Sequence, residues 1–209
     1  MANYPIFSNN ILNMIDWTKQ WEQFAPNFEK GYAHIDLKRY GAEPPLRLKP
    51  GPGFGDLSHP TTRLMLESMA PEVKGKMLVD IGSGSGILTL AAWLLGATQC
   101  IGIDIDPDAV VHARENAKVN GAEEGVEFFP STSPPALKGP LLILLNMISS
   151  EQQIAKEMYK NLFTQAEQII ASGILATQRD HYLNLAHEWG WKLAHEKERE
   201  GWLALSFLK

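Results

Sequence analysis

The sequence contains a single cysteine in 209 residues, so no disulfide can close within the chain and a fold stapled by cross-links is excluded. That residue, Cys100, lies in an apolar stretch and reads as a small buried hydrophobe in a reducing compartment. Long hydrophobic runs are also missing. The longest, LLILL at 141–145, is far short of the roughly 20 apolar residues that a bilayer span requires. The opening MANYPIFSNN has neither a basic head nor an extended apolar core. We therefore expect a soluble, cytoplasmic protein with no membrane attachment. Positive charge is in deficit: 19 basic against 24 acidic residues leave a net charge of −5, which argues against direct nucleic-acid binding. His34, His112, His181, His187 and His195 lack metal-ligand spacing, so no metal site is expected and they read as surface or packing residues. What remains is a globular composition, 44% hydrophobic and 21% charged, long enough for one α/β domain with an extra segment.

The stretch that organises the rest is MLVDIGSGSG, 77–86. It reads as a buried strand (Met77, Leu78, Val79, Ile81) entering three glycines at alternate positions, Gly82, Gly84 and Gly86, with a helix following until Gly96. Such a turn lets a ligand approach bare backbone at the carboxyl end of a parallel strand. Its echo, GIDIDP at 102–107, is a second strand that delivers Asp104, where a carboxylate can accept hydrogen bonds from ribose hydroxyls. Asp106 then caps a helix that has Pro107 at its first position. A dinucleotide fingerprint G-x-G-x-x-G would need a third glycine at 87, where Ile87 stands. The pattern present, D-x-G-x-G-x-G with Asp80 leading, is instead similar to the S-adenosylmethionine loop of class I methyltransferases. In those enzymes the acidic residue lies near the amino-acid part of the cofactor. That cofactor has no pyrophosphate, so complementarity to an ammonium, a carboxylate and a sulfonium replaces a phosphate cradle. A ligand-free turn is the bland alternative, and the pairing of a glycine turn with an acidic strand end at βαβ spacing argues against it.

The remaining segments continue the alternation of strands and helices. An amphipathic helix over 11–24 carries Ile11, Met14, Ile15, Trp17, Trp21 and Phe24, whose aromatics are expected to pack on the main domain. Residues 31–50 form an approach segment with HIDLKRY and LRLK as short strands. KPGPGFGDLSHPTT, 49–62, leads into a helix from Thr61 to Met69 capped by Ser58, and so offers backbone N–H groups and two threonine hydroxyls to a ligand; a plain surface linker is the alternative. Strands follow at 126–129 and 141–145, and the latter ends in Asn146, beside the ligand crevice of such a sheet. Ser150 with Gln153 makes a capping box for a helix continued by Ile154, Met158 and Leu162. A fifth strand at 168–175, a helix bearing Tyr182 and Trp189, and an antiparallel hairpin around Gly201 complete a doubly wound α/β sheet.

Taken in order, KPGPGFGDLSHPTTRLMLE, DIGSGSGILTLAAWLLGA, GIDIDPDAVVHARENAKVNG, the Asn146 strand end, SGILATQ and EGWLALSFLK resemble the bacterial ribosomal protein L11 methyltransferases over nearly the whole chain. The resemblance implies a Rossmann-like class I fold with a C-terminal antiparallel hairpin. It divides the chain into an N-terminal helix and approach segment, 1–48, and an S-adenosylmethionine-dependent methyltransferase domain, 49–209. It implies N-methylation of an amine on a protein such as a ribosomal protein. A small-molecule methyltransferase and a cofactor-binding protein without turnover are the alternatives. Cofactor contacts fall on Thr62, Asp80, Gly82, Gly84, Gly86, Asp104 and Asn146, and Asn146 also orients the acceptor as the catalytic residue. The chain departs from the family pattern at Asp56-Leu57-Ser58-His59, where a T-G-T-H-like turn is usual, and at Gly139-Pro140-Leu141, where an acidic residue is usual. It is also expected to lack the separate N-terminal α/β domain with which family members grip the ribosomal protein.

Overall fold

A computed structural model describes residues 16–209 except Pro26, Pro44, Asp56, Ser133, Pro134, Ala136, Lys138 and Gly139. Helix α1 (Trp17–Phe24) starts at Asp16, whose carboxylate accepts the Lys19 amide at 3.2 Å. It buries Trp21 and leaves Phe24 57% exposed, so the aromatic face expected from the spacing is only partly covered. Ile11, Met14 and Ile15, expected on the same helix, lie outside the described residues. Strands β1 (Phe28–Glu29), β2 (Tyr32–Ile35) and β3 (Leu46–Leu48) form a small antiparallel sheet in that order. The strand expected at HIDLKRY stops at Ile35, because residues 38–40 turn as a short 3-10 helix that Gly41 closes at φ 96°.

Helix α2 (Pro60–Met69) is capped by His59, not Ser58. Pro60 takes the first helical position, so the residue before it must be the cap, and the His59 ring accepts the Thr61 amide at 3.3 Å. The principal sheet contains β4 (Met77–Ile81), β5 (Gln99–Asp104), β6 (Val126–Pro130), β7 (Leu141–Asn146), β8 (Ala166–Leu175), β9 (Lys192–Arg199) and β10 (Trp202–Leu208). Its order is β6-β5-β4-β7-β8-β10-β9, parallel as far as β8, with β10 antiparallel to both of its neighbours. Glu200 and Gly201, at φ 53° and 79°, make the tight turn that the last hairpin needs.

Strand alternation sorts the core into two halves. Leu78, Cys100, Leu142 and Leu144 face α2, α3 (Ile87–Leu94) and α4 (Pro107–Val119), together with the buried side chains of β2 and β3. Val79, Ile81, Ile101, Ile103, Ile143 and Leu145 face α5 (Ser149–Met158), α6 (Lys160–Gln165) and α7 (Arg179–Glu188). Burial pushes the Cys100 thiol up to about 12, which leaves it an inert hydrophobe as expected. The helix expected to run through Ile154, Met158 and Leu162 breaks at Tyr159 into α5 and α6. Leu162 is buried, whereas Ile154 and Met158 are exposed. Ser150 makes no capping box with Gln153: the helix has already begun at Ser149, after Ile148, because Gln152 ties the entering turn down. Its side-chain amide donates to the Met147 carbonyl at 2.7 Å and to the Ser172 carbonyl at 2.9 Å. Among the described residues, no helix is long and apolar enough to cross a membrane.

Candidate functional site

The carboxyl ends of β4, β5 and β7 open on a cavity of about 530 Å³, a size suited to a small ligand. It lies where the connections on either side of β4 leave the sheet in opposite directions, the usual crevice of a doubly wound sheet. One wall is the glycine turn. Gly82, Gly84 and Gly86 hold φ of 79°, 54° and 82°, and the amides of Gly82 and Ser83 donate to the Ile103 carbonyl at 2.7 and 3.1 Å. These bonds tie the first strand end to the second. Asp104 completes the tie: Oδ2 accepts the Gly84 N–H at 2.8 Å and Oδ1 accepts the Asp106 N–H at 2.9 Å. Each carboxylate oxygen still has a lone pair to offer a ligand hydroxyl.

Four of the residues expected from the sequence line this cavity: Gly82, Gly84, Asp104 and Asn146. Three do not line it, each for a physical reason. Asp80 shares strand parity with Leu78, so its side chain is buried on the α3 side and accepts the Thr89 hydroxyl at 2.7 Å. Burial pushes its carboxyl up to about 7, against the lowering effect of the Thr89 bond and with a further contribution from the Asp104 charge. Gly86 is a packing glycine at the start of α3, where an added Cβ would lie 2.7 Å from the Phe128 ring and 3.2 Å from Ala113. Thr62 is fully buried within α2. Gly84 also has a structural duty, since a Cβ there would collide with the Phe54 carbonyl before reaching any ligand.

Several wall residues escaped sequence reasoning. Phe54 and Gly53 roof the turn: Ser85 donates its amide to the Phe54 carbonyl at 2.8 Å and its hydroxyl to the Gly55 carbonyl at 2.7 Å. A Cβ on Gly53 would lie 2.6 Å from the Gly84 carbonyl carbon and from the Ser85 nitrogen, so only glycine permits this approach. The rim is apolar and open to solvent at Phe54, Ile105, Ile148, Ile154 and Met158. Ile105 alone is 81% exposed, an uncommon placement for isoleucine and one that a covering ligand would relieve. Glu151 on α5 also faces the cavity, and its carboxylate has no hydrogen bond or ion pair among the described residues.

Among the described residues with a buried, unsatisfied side-chain oxygen, Asn146 is the one that lines the cavity. Ser83 Oγ, Asn146 Oδ1, Ser149 Oγ, Thr62 Oγ1 and Asp80 Oδ1 are buried without a hydrogen-bond partner among the described residues. The lining contributes Asp104, Asp106 and Glu151 and, among the described residues, no lysine, arginine or histidine. Such a wall suits a cationic ligand with hydroxyl groups and does not suit a pyrophosphate.

Comparison with known proteins points the same way. The model of the family described as ribosomal protein L11 methyltransferase (PrmA) matches residues 5–209. A curated ribosomal protein L11 methyltransferase of Tolumonas auensis is 34% identical over 205 residues, which cover 95% of this chain and 70% of that protein. One of Mannheimia succiniciproducens is 34% identical over 197 residues, covering 91% and 67%. Among solved structures, ribosomal protein L11 methylase from Lactobacillus delbrueckii subsp. bulgaricus superposes with a TM-score of 0.67 at 24% identity, over 84% of this chain and 98% of that one. An RNA methyltransferase from Salinibacter ruber in complex with S-adenosyl-L-homocysteine gives 0.52 at 21%, over 72% and 93%. Both structural likenesses concern the fold.

Proposed function

We propose, from the premise that the chain belongs to the ribosomal protein L11 methyltransferase family, that this cavity is where an S-adenosylmethionine-dependent methyltransferase hands a methyl group to an amine of a protein acceptor, most directly a ribosomal protein. The observation that carries the reading is the meeting of the glycine turn and Asp104 with a lining that offers three carboxylates and no basic side chain. S-adenosylmethionine supplies a methyl group already activated on a sulfonium. The protein's task is therefore alignment and exclusion of water more than proton transfer.

The residues divide that task. The Asp104 carboxylate, held open by the Gly84 and Asp106 amides, accepts the ribose hydroxyls. Gly82 and Gly84 let the ligand lie against backbone. Asp80 stands behind the glycine turn, outside the cavity wall, where its carboxyl in the ionised form would act on a cationic ligand through its charge and not by contact. Asn146, whose buried Oδ1 is unpartnered among the described residues, would accept a hydrogen bond from the acceptor amine and so orient it. Phe54, Ile105 and Ile148 cover the reacting atoms from solvent. Gly86 drops out of the cofactor contacts and serves packing.

The test supplies the chain with isotopically labelled S-adenosylmethionine, purified ribosomal protein L11 and, separately, a metabolite extract. Label on amines of the ribosomal protein is the expected result. Label found only in small molecules would favour a metabolite acceptor, and a bound cofactor with no labelled product anywhere would leave a binding protein without turnover.

A further inference from the structure

Helix α4 and its C-cap turn three polar side chains, one per helical turn, toward β3 and the segment that leaves it. Asn120 accepts the Arg47 N–H at 2.9 Å and returns its amide to the Arg47 carbonyl at 2.7 Å. Asn116 accepts the Lys49 N–H at 2.8 Å and donates to the Ser85 carbonyl of the glycine turn at 2.9 Å. His112, the last in this row, reaches furthest along the segment. Its Nδ1 lies 3.1 Å from the Gly53 nitrogen and its Nε2 lies 2.6 Å from the Lys49 carbonyl. A backbone amide can only donate and a carbonyl can only accept, so these two contacts are satisfied together by the neutral tautomer with its proton on Nε2, while the Asn116 amide nitrogen, 3.3 Å from Nε2, gives its hydrogen to the Ser85 carbonyl. Gly51 leaves room for that ring, because a Cβ there would lie 2.5 Å from it. Trp21 of α1 closes the outer side edge-on, with ring centroids 5.9 Å apart.

We propose that His112 is a positioning residue of the cofactor site: through the Gly53 amide it holds the roof formed by residues 51–55 down on the glycine turn. This deepens the methyltransferase reading, because Pro52, Gly53 and Phe54 are cavity walls. Protonation at Nδ1 would set two donors, the ring N–H and the Gly53 N–H, against each other, and the roof would lose its anchor. Burial opposes the charged ring and holds its pKa below the ordinary histidine value. The charged groups around it are Lys49, whose carbonyl takes the ring proton, and Glu115, which is paired with Lys49 at 2.8 Å. The roof is therefore closed above the usual histidine range and opens as the pH falls below it.

Two variants and two readouts test this. His112→Gln can still accept from Gly53 and donate to Lys49 but cannot titrate; His112→Leu keeps apolar bulk and loses both bonds. At about pH 8, S-adenosylhomocysteine should bind the glutamine variant within about twofold of the parent and the leucine variant at least tenfold more weakly. In the ligand-free protein, NMR exchange of the Gly53 amide should accelerate in the leucine variant while amides in β4 and β5 stay protected. Between about pH 6.5 and 5, Gly53 protection should fall further in the parent than in the glutamine variant, after correction for intrinsic exchange. Asp80 titrates in both proteins, so the difference between them isolates His112. Equal pH responses in parent and glutamine variant, or a leucine variant with parental Gly53 protection, would overturn the proposal. Should the leucine variant fail to fold, the glutamine comparison decides alone. If no form binds S-adenosylhomocysteine, the cofactor reading fails, and Gly53 exchange still decides the anchor.

Discussion

Asp80→Asn is expected to stabilise the ligand-free protein at about pH 8 by at most about 4 kcal/mol, reduced by the roughly 1–3 kcal/mol cost of its unpaired buried NH2, while weakening cofactor binding. The carboxyl is buried, has one bond from Thr89 and leaves Oδ1 without a partner; its pKa is raised from 3.8 to about 7. A raised carboxyl pKa in the folded state means that the folded form binds the proton more tightly than the unfolded chain. Its contribution to stability is therefore present in full below about pH 4 and is lost progressively as the pH rises through about 7. Urea unfolding of parent and variant at intervals between those pH values checks this. The parent should lose stability relative to the variant across the window and hold a constant deficit above it. Asparagine keeps the Thr89 contact and removes the buried charge, so a flat difference curve would mean that the Asp80 carboxylate is already compensated. Cofactor affinity should move the other way. A sulfonium and an ammonium favour the ionised carboxyl, so affinity in the parent rises through about pH 7 and the variant lacks that rise.

Asp104→Ala should weaken S-adenosylmethionine binding by roughly 1.5–3 kcal/mol, about ten- to hundredfold, the range for hydrogen bonds to a charged acceptor. The same carboxylate receives the Gly84 and Asp106 amides, so alanine also loosens the turn. Asp104→Asn separates the two effects, since its single oxygen keeps one of the two backbone amides while its NH2 meets the other and the charge is gone. Isothermal titration should rank parent, asparagine and alanine in descending affinity. Parental affinity in the alanine variant would move the ribose role to Asp106, whose carboxylate already accepts the Asp108 amide at 2.9 Å as the α4 cap.

Much of the fold was legible because its causes are local. The apolar run at 141–145, the helix stops at Gly96 and Gly190, and the Asp106-Pro107 cap each act within a few residues. The glycine turn and Asp104 were legible for the same reason: both sit at strand ends that the sequence marks directly. What stayed hidden depends on distant partners. Nothing near position 112 announces that the ring will meet backbone some sixty positions earlier in the chain. The Phe54 roof is fixed by Ser85, far along the sequence, and the row of rings from Phe54 through His59 to Trp202 joins two remote segments. Asp80, Gly86 and Thr62 do not line the cavity, because a motif gives order along the chain but not the face toward which each side chain turns. The Ser58 and Ser150 caps failed for a narrower reason: the caps stand at His59, one residue later, and at Ile148, two residues earlier.

We propose that the glycine turn, Asp104 and the acidic lining together form a site for a cationic nucleoside without a pyrophosphate. Calorimetric titration of the purified chain, in parallel, with S-adenosylmethionine, S-adenosylhomocysteine and NAD tests it most directly. Single-site binding of the first two and no comparable heat from NAD is the expected result, because Ile87 replaces the third dinucleotide glycine and no basic side chain lines the described cavity wall. Tight binding of NAD with no heat from S-adenosylmethionine would contradict it.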